Sequence, residues 1–321
     1  MWPRPILGSA SGGKRREDRD AVDGRAGLLV PSRGKRPTVT GFSSDAFSVE
    51  VSGGVGTLWL DRAERRNTMG RTFFEDLPKA MGLLSTDPGV RAVVIAAKGR
   101  DFSVGLDLKE MGELLAPPDS PSAASAPTPP SMAARAQAAR ASILRLQRSI
   151  SAVADCPKPV IVAVQGYCIG GGVDLISACD IRVASSDAIF SVRETRIAIV
   201  ADLGSLQRLP RIVGAGHLAE LAFTGGDVDA VRARDIGLVN DVLPDAEATV
   251  EAARDLAARC AANSPLAVQG VKAVLAAGQR HEVEEGLDYV ATWNAGMLAS
   301  DDLVEAVTAF MQKRPPEFTG G

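Results

Sequence analysis

KPVIVAVQGYCIGGGVDLISACDIRVASSDAIFSVRETRIAIVADLGSLQRLPR, residues 158–211, carries the strongest structural signals in the chain. Val160–Val164 is a β-branched run, typical of a buried strand, and Gly166 ends it. Three glycines at 170–172 then precede residues 173–176, whose pattern is typical of the start of a helix. Backbone N–H groups at such a junction carry partial positive charge, and glycine lets another group come close to them. This stretch therefore predicts a main-chain anion site.

Acidic side chains lie in the same stretch, at Asp174, Glu194 and Asp202. An anion site beside carboxylates with apolar neighbours indicates proton transfer next to a carbonyl group. Each acid also has an ordinary structural explanation. Asp174 and Asp202 could each cap a helix, and Glu194, between Arg193 and Arg196, could be a solvated surface charge.

The composition limits the classes of function. The 321 residues are 45% hydrophobic and 23% charged, which is ordinary for a globular protein with a large core. The net charge of −3 predicts no general attraction to nucleic acid or to an anionic membrane, and no apolar run reaches the ~18 residues that span a bilayer. The four cysteines form no C-x-x-C pair, and neither of the two histidines sits at metal-ligand spacing. We therefore expect buried thiols, no metal site and a cytoplasmic location.

Composition also divides the chain into three parts. Residues 1–44 are rich in Gly, Arg, Ser and Pro, which predicts a disordered N-terminal extension. Its acidic residues argue against a transit segment, which an organellar matrix location would need. Residues 45–244 form the predicted core, with a Pro/Ala/Ser-rich surface loop at 116–131. The pattern of residues 245–321 predicts helices that each carry an apolar stripe. Such helices pack on a core or on a neighbouring subunit.

Local patterns predict several of the remaining elements. Alternation of apolar and polar residues over 47–60, around a Gly-Gly pair, predicts a β-hairpin. Helical periodicity spans residues 72–84, although Pro78 predicts a break or a kink. Ser264 and Ser300 are candidate N-caps of C-terminal helices.

A second strand–loop–helix junction lies at residues 90–111, where GRDFSVGLDLKEM follows a buried apolar run and offers another free N–H near Leu106. IVAVQGYCIGGGVDLISACDIRVAS, residues 161–185, together with SVGLDLKEM, residues 103–111, resembles the crotonase (enoyl-CoA hydratase/isomerase) superfamily. The resemblance runs from about residue 47 to the C-terminus. The two glycine motifs are specific as a pair, although neither is specific alone.

The resemblance implies a fold, a substrate class and an assembly. The expected fold is α/β, a crotonase-like spiral of ββα units followed by a C-terminal helical trimerisation region. The expected substrate is an acyl-CoA thioester, with no cofactor beyond it, and the expected assembly is a trimer or a dimer of trimers. By motif position, the backbone N–H groups of Leu106 and Gly171 hold the thioester oxygen. Fixed donors of this kind stabilise an enolate oxygen by ~3–4 kcal/mol each.

The acids resemble one branch of the superfamily. Its hydratases carry glutamate at the positions of Asp174 and Glu194, and usually glycine at the position of Asp202. The trio found here resembles the dienoyl-CoA isomerases, which convert a 3,5-dienoyl thioester into its 2,4-isomer in fatty-acid beta-oxidation. On this hypothesis Glu194 exchanges the C2 proton, Asp202 exchanges the C6 proton, and Asp174 tunes both. The alternatives are a 2-enoyl-CoA hydratase and a non-catalytic acyl-CoA-binding protein.

Contacts to the CoA moiety are implied in the same way. Lys109, Phe310 and Lys313 are candidates for its phosphate and adenine ends, although both lysines could be ordinary surface residues. The C-terminal AFMQKRPPEF resembles a family helix that can reach a neighbour's CoA site. The full set of implied CoA contacts is Val104, Asp107, Leu108, Lys109, Phe310 and Lys313.

Overall fold

The computed structural model describes residues 42–111 and 131–319, and the structural statements below refer to those ranges. Most of the predicted N-terminal extension and nearly all of the predicted loop at 116–131 lie outside them. Nine β-strands are described: β1 (Phe47–Ser52), β2 (Val55–Leu60), β3 (Ala92–Ala97), β4 (Val160–Val164), β5 (Tyr167–Ile169), β6 (Ile181–Ser185), β7 (Ile189–Ser191), β8 (Val228–Asp229) and β9 (Asp241–Leu243).

The strands form two sheets. In the larger sheet the order is β1-β2-β3-β4-β6-β9, and only the β1–β2 pair is antiparallel. The smaller sheet has the order β5-β7-β8, with β5 and β7 parallel. The chain leaves the larger sheet after β4 at Gly166, whose φ is +55° and where a Cβ atom would lie 2.4 Å from the Arg100 carbonyl oxygen. Only glycine fits this turn.

From β4 to β7, consecutive strands alternate between the two sheets. β4 and β6 belong to the larger sheet, whereas β5 and β7, which follow them, belong to the smaller one. A helical segment comes after each such pair, so the repeating unit is ββα. This arrangement confirms the predicted α/β fold. It also brings the ends of β5 and β7 together beside the glycine turn.

Helices surround the larger sheet and follow it in sequence. α8 packs against β3, β4 and β6, with Ala253, Ala257 and Ala261 on the sheet. The other face of the sheet carries the larger apolar cluster, which α1 joins. The α-helices are α1 (Arg71–Thr86), α2 (Met132–Ala154), α3 (Gly171–Ser177), α4 (Ser205–Arg208), α5 (Pro210–Val213), α6 (Ala215–Thr224), α7 (Ala230–Asp235), α8 (Ala246–Ala262), α9 (Pro265–Ala277), α10 (Arg280–Met297) and α11 (Asp301–Gln312).

Three local predictions can be compared with these elements. The hairpin is confirmed as β1–β2, and Ser300 caps α11 through a bond from the Leu303 N–H to its hydroxyl, at 3.2 Å. Of the break or kink predicted at Pro78, the break is wrong, because α1 continues through this residue to Thr86, and the kink stays a prediction. Ser264 precedes α9, but its side chain makes no capping hydrogen bond.

The helix α1 tolerates Pro78 because another helix satisfies the carbonyl that proline leaves unpaired. Proline has no N–H to donate to the carbonyl four residues earlier, that of Phe74. The hydroxyl of Ser149, on α2, donates to the Phe74 carbonyl oxygen at 2.9 Å, and Ser149 is buried. In the part of the chain described, no helix is long and apolar enough to cross a membrane.

Candidate active site

Two loops meet at the glycine turn. The Ser103 N–H donates to the Tyr167 carbonyl at 2.9 Å, and the Ile169 N–H donates to the Ser103 carbonyl at 3.0 Å. Gly105 lies beside this pairing with φ +83°, and a Cβ atom there would be 2.8 Å from the Ile169 carbonyl oxygen. The loop after β3 can therefore touch the loop after β5 only if residue 105 has no side chain.

The two predicted oxyanion donors belong to these two loops. A Cβ atom on Gly105 would lie 3.5 Å from the Gly171 nitrogen, which shows how near the loops are at this point. Within the described ranges, neither the Leu106 N–H nor the Gly171 N–H has a hydrogen-bond acceptor. Both residues line one cavity. Two free N–H groups are therefore available to an oxygen atom bound there.

That cavity has a volume of about 960 Å³ and brings the three acids together. Asp174, Glu194 and Asp202 all line it, with the glycine turn as part of the wall. A cavity of this size suits a ligand of cofactor size, and an apolar lining favours an acyl chain. The apolar lining residues include Met69, Phe74, Ile143, Leu146, Ile197, Ile199, Leu203 and Leu298.

Asp174 lies in the first turn of α3 and is only 1% exposed. Its Oδ1 accepts the Ser205 N–H at 2.7 Å, so it holds the start of α4 rather than that of its own helix. Burial raises the pKa of Asp174, while the Ser205 bonds and the charge of Arg208 act in the opposite direction. The capping explanation is thus wrong, because the cap position of α3 belongs to Gly170 and the Asp174 carboxylate binds the first N–H of another helix.

Glu194 begins a short 3₁₀ helix, Glu194–Ile197, which follows β7 after Val192 and Arg193. Its carboxylate rests against the glycine turn, since a Cβ atom on Gly170 would lie 3.3 Å from Oε1. Its other oxygen, Oε2, is buried and has no hydrogen-bond partner among the described residues. Burial and then the charge of Asp174 raise the pKa of Glu194. Glu194 is therefore not a solvated surface charge.

Asp202 faces the cavity from the segment before α4. It does not cap α4, because the cap position belongs to Gly204 and the Ser205 N–H is taken by Asp174. Instead, the Asn294 side chain donates to Asp202 Oδ2 at 2.8 Å. Burial raises the pKa of Asp202 to about 7; the bond from Asn294 opposes the shift and the charge of Asp174 adds to it.

The common environment has a chemical consequence. Burial raises the pKa of each carboxyl group, and ionising one makes it harder to ionise its neighbours. The raised pKa values, about 6 for Asp174, about 7 for Asp202 and about 8 for Glu194, favour a mixture of protonated and ionised acids near neutral pH. A proton donor and a proton acceptor can act on one ligand.

The predicted CoA contacts fall into two groups. Val104, Asp107, Leu108, Lys109 and Phe310 line the cavity, whereas Lys313, which ends α11 with φ 55°, is not among its lining residues. The helix that carries Phe310 packs on the 3₁₀ helix of its own chain. The C-terminal helix thus reaches the site of the same chain.

Sequence reasoning missed several residues of this site. The pair Arg65 and Arg66 lines the cavity, with the Arg66 guanidinium 5.1 Å from the centre of the Tyr167 ring, yet neither arginine was among the predicted site residues. An arginine doublet beside a predicted glycine loop is the signal that could have drawn attention to them. Asn294 carried no such signal, because it lies inside an ordinary helical pattern. Across the described residues, no group of three or more potential ligands is arranged to hold a metal ion.

Comparison with known proteins gives consistent results. Residues 50–126 and 130–321 match the family model of Enoyl-CoA hydratase/isomerase. The chain is 42% identical to the peroxisomal Delta(3,5)-Delta(2,4)-dienoyl-CoA isomerase of Arabidopsis thaliana, over 81% of this chain and 91% of that protein. It is 43% identical to the mitochondrial Delta(3,5)-Delta(2,4)-dienoyl-CoA isomerase of Rattus norvegicus, over 79% and 76%. The crystal structure of an enoyl-CoA hydratase/isomerase from Pseudoalteromonas atlantica superposes with a TM-score of 0.71 at 27% identity, covering 85% of this chain and all (100%) of that one.

Proposed function

The chain belongs to the enoyl-CoA hydratase/isomerase family, and we propose that its cavity converts a 3,5-dienoyl-CoA into the 2,4-dienoyl-CoA in fatty-acid beta-oxidation. The single observation that carries the proposal is the presence of a third acid, Asp202, in the cavity that also holds Glu194 and Asp174. Adding water across a 2-enoyl bond needs two acids near C2 and C3. Moving a proton from C2 to C6 needs an additional proton carrier near C6, farther along the acyl chain of the substrate.

The proposed reaction balances with protons alone. The C2–H bond of the thioester breaks, the electron pair spreads over the dienolate from the oxygen to C6, and a C6–H bond forms. The Leu106 and Gly171 N–H groups donate to the thioester oxygen while it carries this charge. No electrons leave the substrate, so the proposal requires no redox cofactor and no metal ion.

Glu194 and Asp202 divide the two proton transfers. Glu194, against the glycine turn, takes the C2 proton with Oε2, which has no hydrogen-bond partner in the part of the chain that the structure describes. Asp202 gives its proton to C6. Burial and repulsion between the acids raise the pKa of Glu194 to about 8 and that of Asp202 to about 7, so the reaction draws on the less populated singly protonated form, in which Glu194 is ionised and Asp202 is protonated. Each turnover ends with the proton on Glu194, and exchange with water restores the starting state.

Assays on two substrates test the proposal. The protein should turn 3,5-dienoyl-CoA into a diene that is conjugated with the thioester carbonyl, seen as a rise in absorbance. Asp202→Asn should lower this rate by about 10²-fold or more, the typical contribution of a general acid. The matched control is Asp255→Asn, on the exposed face of α8, which should keep the full rate.

Other outcomes would contradict the proposal. Near-normal isomerisation by Asp202→Asn would remove the role given to this acid. Faster hydration of 2-enoyl-CoA than isomerisation of the dienoyl thioester would favour the hydratase. Binding of acyl-CoA without turnover of either substrate would favour a non-catalytic binding protein.

The partners and the compartment are part of the same proposal. The acyl-CoA binds with its CoA moiety along Val104, Asp107, Leu108, Lys109 and Phe310, with Lys313 beyond the cavity. The chain self-associates as a trimer or a dimer of trimers. The cytoplasm stays the predicted compartment, or an organellar matrix if residues 1–44 act as a transit segment. N-terminal sequencing of the native protein separates these two cases.

A further inference from the structure

We infer that Asn294 is a positioning residue that holds Asp202 for proton transfer at C6, so that helix α10 is part of the catalytic apparatus. The inference rests on the proposed isomerase function and adds a residue to it. Asn294 lies in the C-terminal helical region, in which the sequence indicated only packing and subunit contacts.

The contacts of Asn294 fix the Asp202 carboxylate from behind. Its Nδ2 donates to Asp202 Oδ2 at 2.8 Å and to the Val200 carbonyl oxygen at 2.8 Å. Both hydrogens of the amide are thereby used, and both acceptors are oxygens, so a reversed amide would face them with its own oxygen. Asn294 is only 1% exposed. The amide thus ties the carboxylate and the nearby main chain to one rigid helix.

A second amide holds the main chain of Asp202. Gln147 Nε2, on α2, donates to the Asp202 carbonyl oxygen at 2.8 Å and to the Leu287 carbonyl oxygen of α10 at 2.9 Å. The two amides divide the task, since Gln147 fixes the backbone and Asn294 fixes the side chain. They therefore offer two variants that differ in whether the carboxylate itself loses a donor.

The bond also favours one position for the proton. The unprotonated oxygen of a carboxyl group is the better acceptor, so the amide bond to Oδ2 favours the acid form of Asp202 that carries its proton on Oδ1. The charged groups near Asp202 are Asp174 on α3 and Glu194 on the 3₁₀ helix, with Arg208 of α4 close to Asp174. The group that α10 brings to Asp202 is uncharged. Removing it frees the rotamer of the carboxylate and withdraws a bond that favours its ionised form.

Deuterium exchange distinguishes a loss of Asp202 positioning from a general loss of active-site structure. In D₂O, exchange at C2 of the 3,5-dienoyl-CoA reports on Glu194 and the N–H donors, whereas product formation also needs Asp202. Asn294→Ala should lower isomerisation at least tenfold and leave exchange at C2 within about threefold of the unaltered protein. Glu194→Gln should lose both. Asn263→Ala, an exposed asparagine at the end of α8, is the matched control and should change neither.

The pH dependence gives an independent readout. Asn294→Asp replaces the donor by a carboxylate of the same shape, so it serves if the alanine variant does not fold. Compared with the unaltered protein at the same pH, its isomerisation should be about 10²-fold slower at pH 8 and less reduced at pH 5, where the introduced carboxyl group regains a proton to donate. Gln147→Leu should lower the rate without moving the pH dependence, because the carboxylate keeps its donor.

The outcomes distinguish the two proposals. Equal losses of exchange and of isomerisation in Asn294→Ala would mean a structural role only and would overturn the inference. Unchanged values for both would overturn it as well. If the unaltered chain does not isomerise 3,5-dienoyl-CoA, the proposed function fails and this inference fails with it.

Discussion

The surroundings of Asp202 disfavour the ionised form of its carboxyl group. Burial raises its pKa to about 7 from the ordinary value of 3.8, while one amide bond supports the ionised form. Such an acid can both hold and release a proton near neutral pH, which suits proton transfer to carbon. The same burial lowers the stability of the folded protein whenever the carboxylate is charged. Activity and stability therefore make opposite demands on this residue.

Unfolding measurements should detect this conflict. The folded pKa of Asp202, about 7, lies above its unfolded value, so its favourable contribution is complete below about pH 4 and is lost as the pH rises to about 7. At pH 8 the charged carboxylate costs up to ~4 kcal/mol. Asp202→Asn should thus raise the free energy of unfolding by about 2–4 kcal/mol at pH 8 and by much less at pH 4.5. Chemical denaturation at the two pH values measures this, and equal effects at both would contradict it.

Among the helices, a hydroxyl group of α2 completes the backbone hydrogen bonding of α1. Pro78 removes a hydrogen bond inside α1, and Ser149 of α2 replaces it from outside. The partner lies 75 positions away along the chain. A buried carbonyl without a partner would otherwise reduce stability. This contact explains why a proline inside a helical pattern does not divide the helix here.

A double-mutant cycle tests that contact. Ser149→Ala should lower the free energy of unfolding by about 1–2 kcal/mol, because it leaves the Phe74 carbonyl unpaired. In the Pro78→Ala background the residue at 78 can donate to this carbonyl itself, so Ser149→Ala should cost less than half as much. Equal costs in the two backgrounds would show that the hydroxyl does not act through Phe74.

Separation along the chain also explains which features could be predicted from the sequence and which could not. Strand β4, the glycine turn and the C-terminal helices were predictable, because each has a local pattern of apolar residues, glycine or caps. The strands β5 and β7 have only three residues each, and they were missed. Their pairing depends on contacts with segments distant in sequence, such as the loop after β3, and not on a local pattern. The acids were predictable as candidates through the family resemblance. Their fixing by Asn294 was not, because no local pattern connects residues 92 positions apart.

At the scale of the whole molecule, α9 exposes an apolar surface. None of its side chains is buried, and Leu266, Val271 and Val274 are 86%, 61% and 76% exposed. Lys272 anchors the helix through its Nζ, which donates to Asp180 at 2.6 Å and to the Lys158 carbonyl at 3.0 Å. A helix that is held in place but leaves its apolar side chains exposed is typical of a contact between subunits. We propose that further copies of this chain cover it.

Light scattering on the purified protein tests the proposed assembly. Val271→Asp together with Val274→Asp should reduce the molar mass from that of a trimer or hexamer to that of one chain, because charges would be buried between subunits. Val274→Thr keeps the shape without a charge and should leave the assembly intact. A single chain already in the unaltered protein would contradict the proposal.

The bond between Asp202 and Asn294 limits how this chemistry could be transplanted. A designer who grafts residues 194–202 onto a related hydratase would move two acids and leave behind the amide that aims one of them. The recipient would then exchange the proton beside the thioester yet release little rearranged product. A successful chimera must import α10 as well, with the packing that seats it against α2.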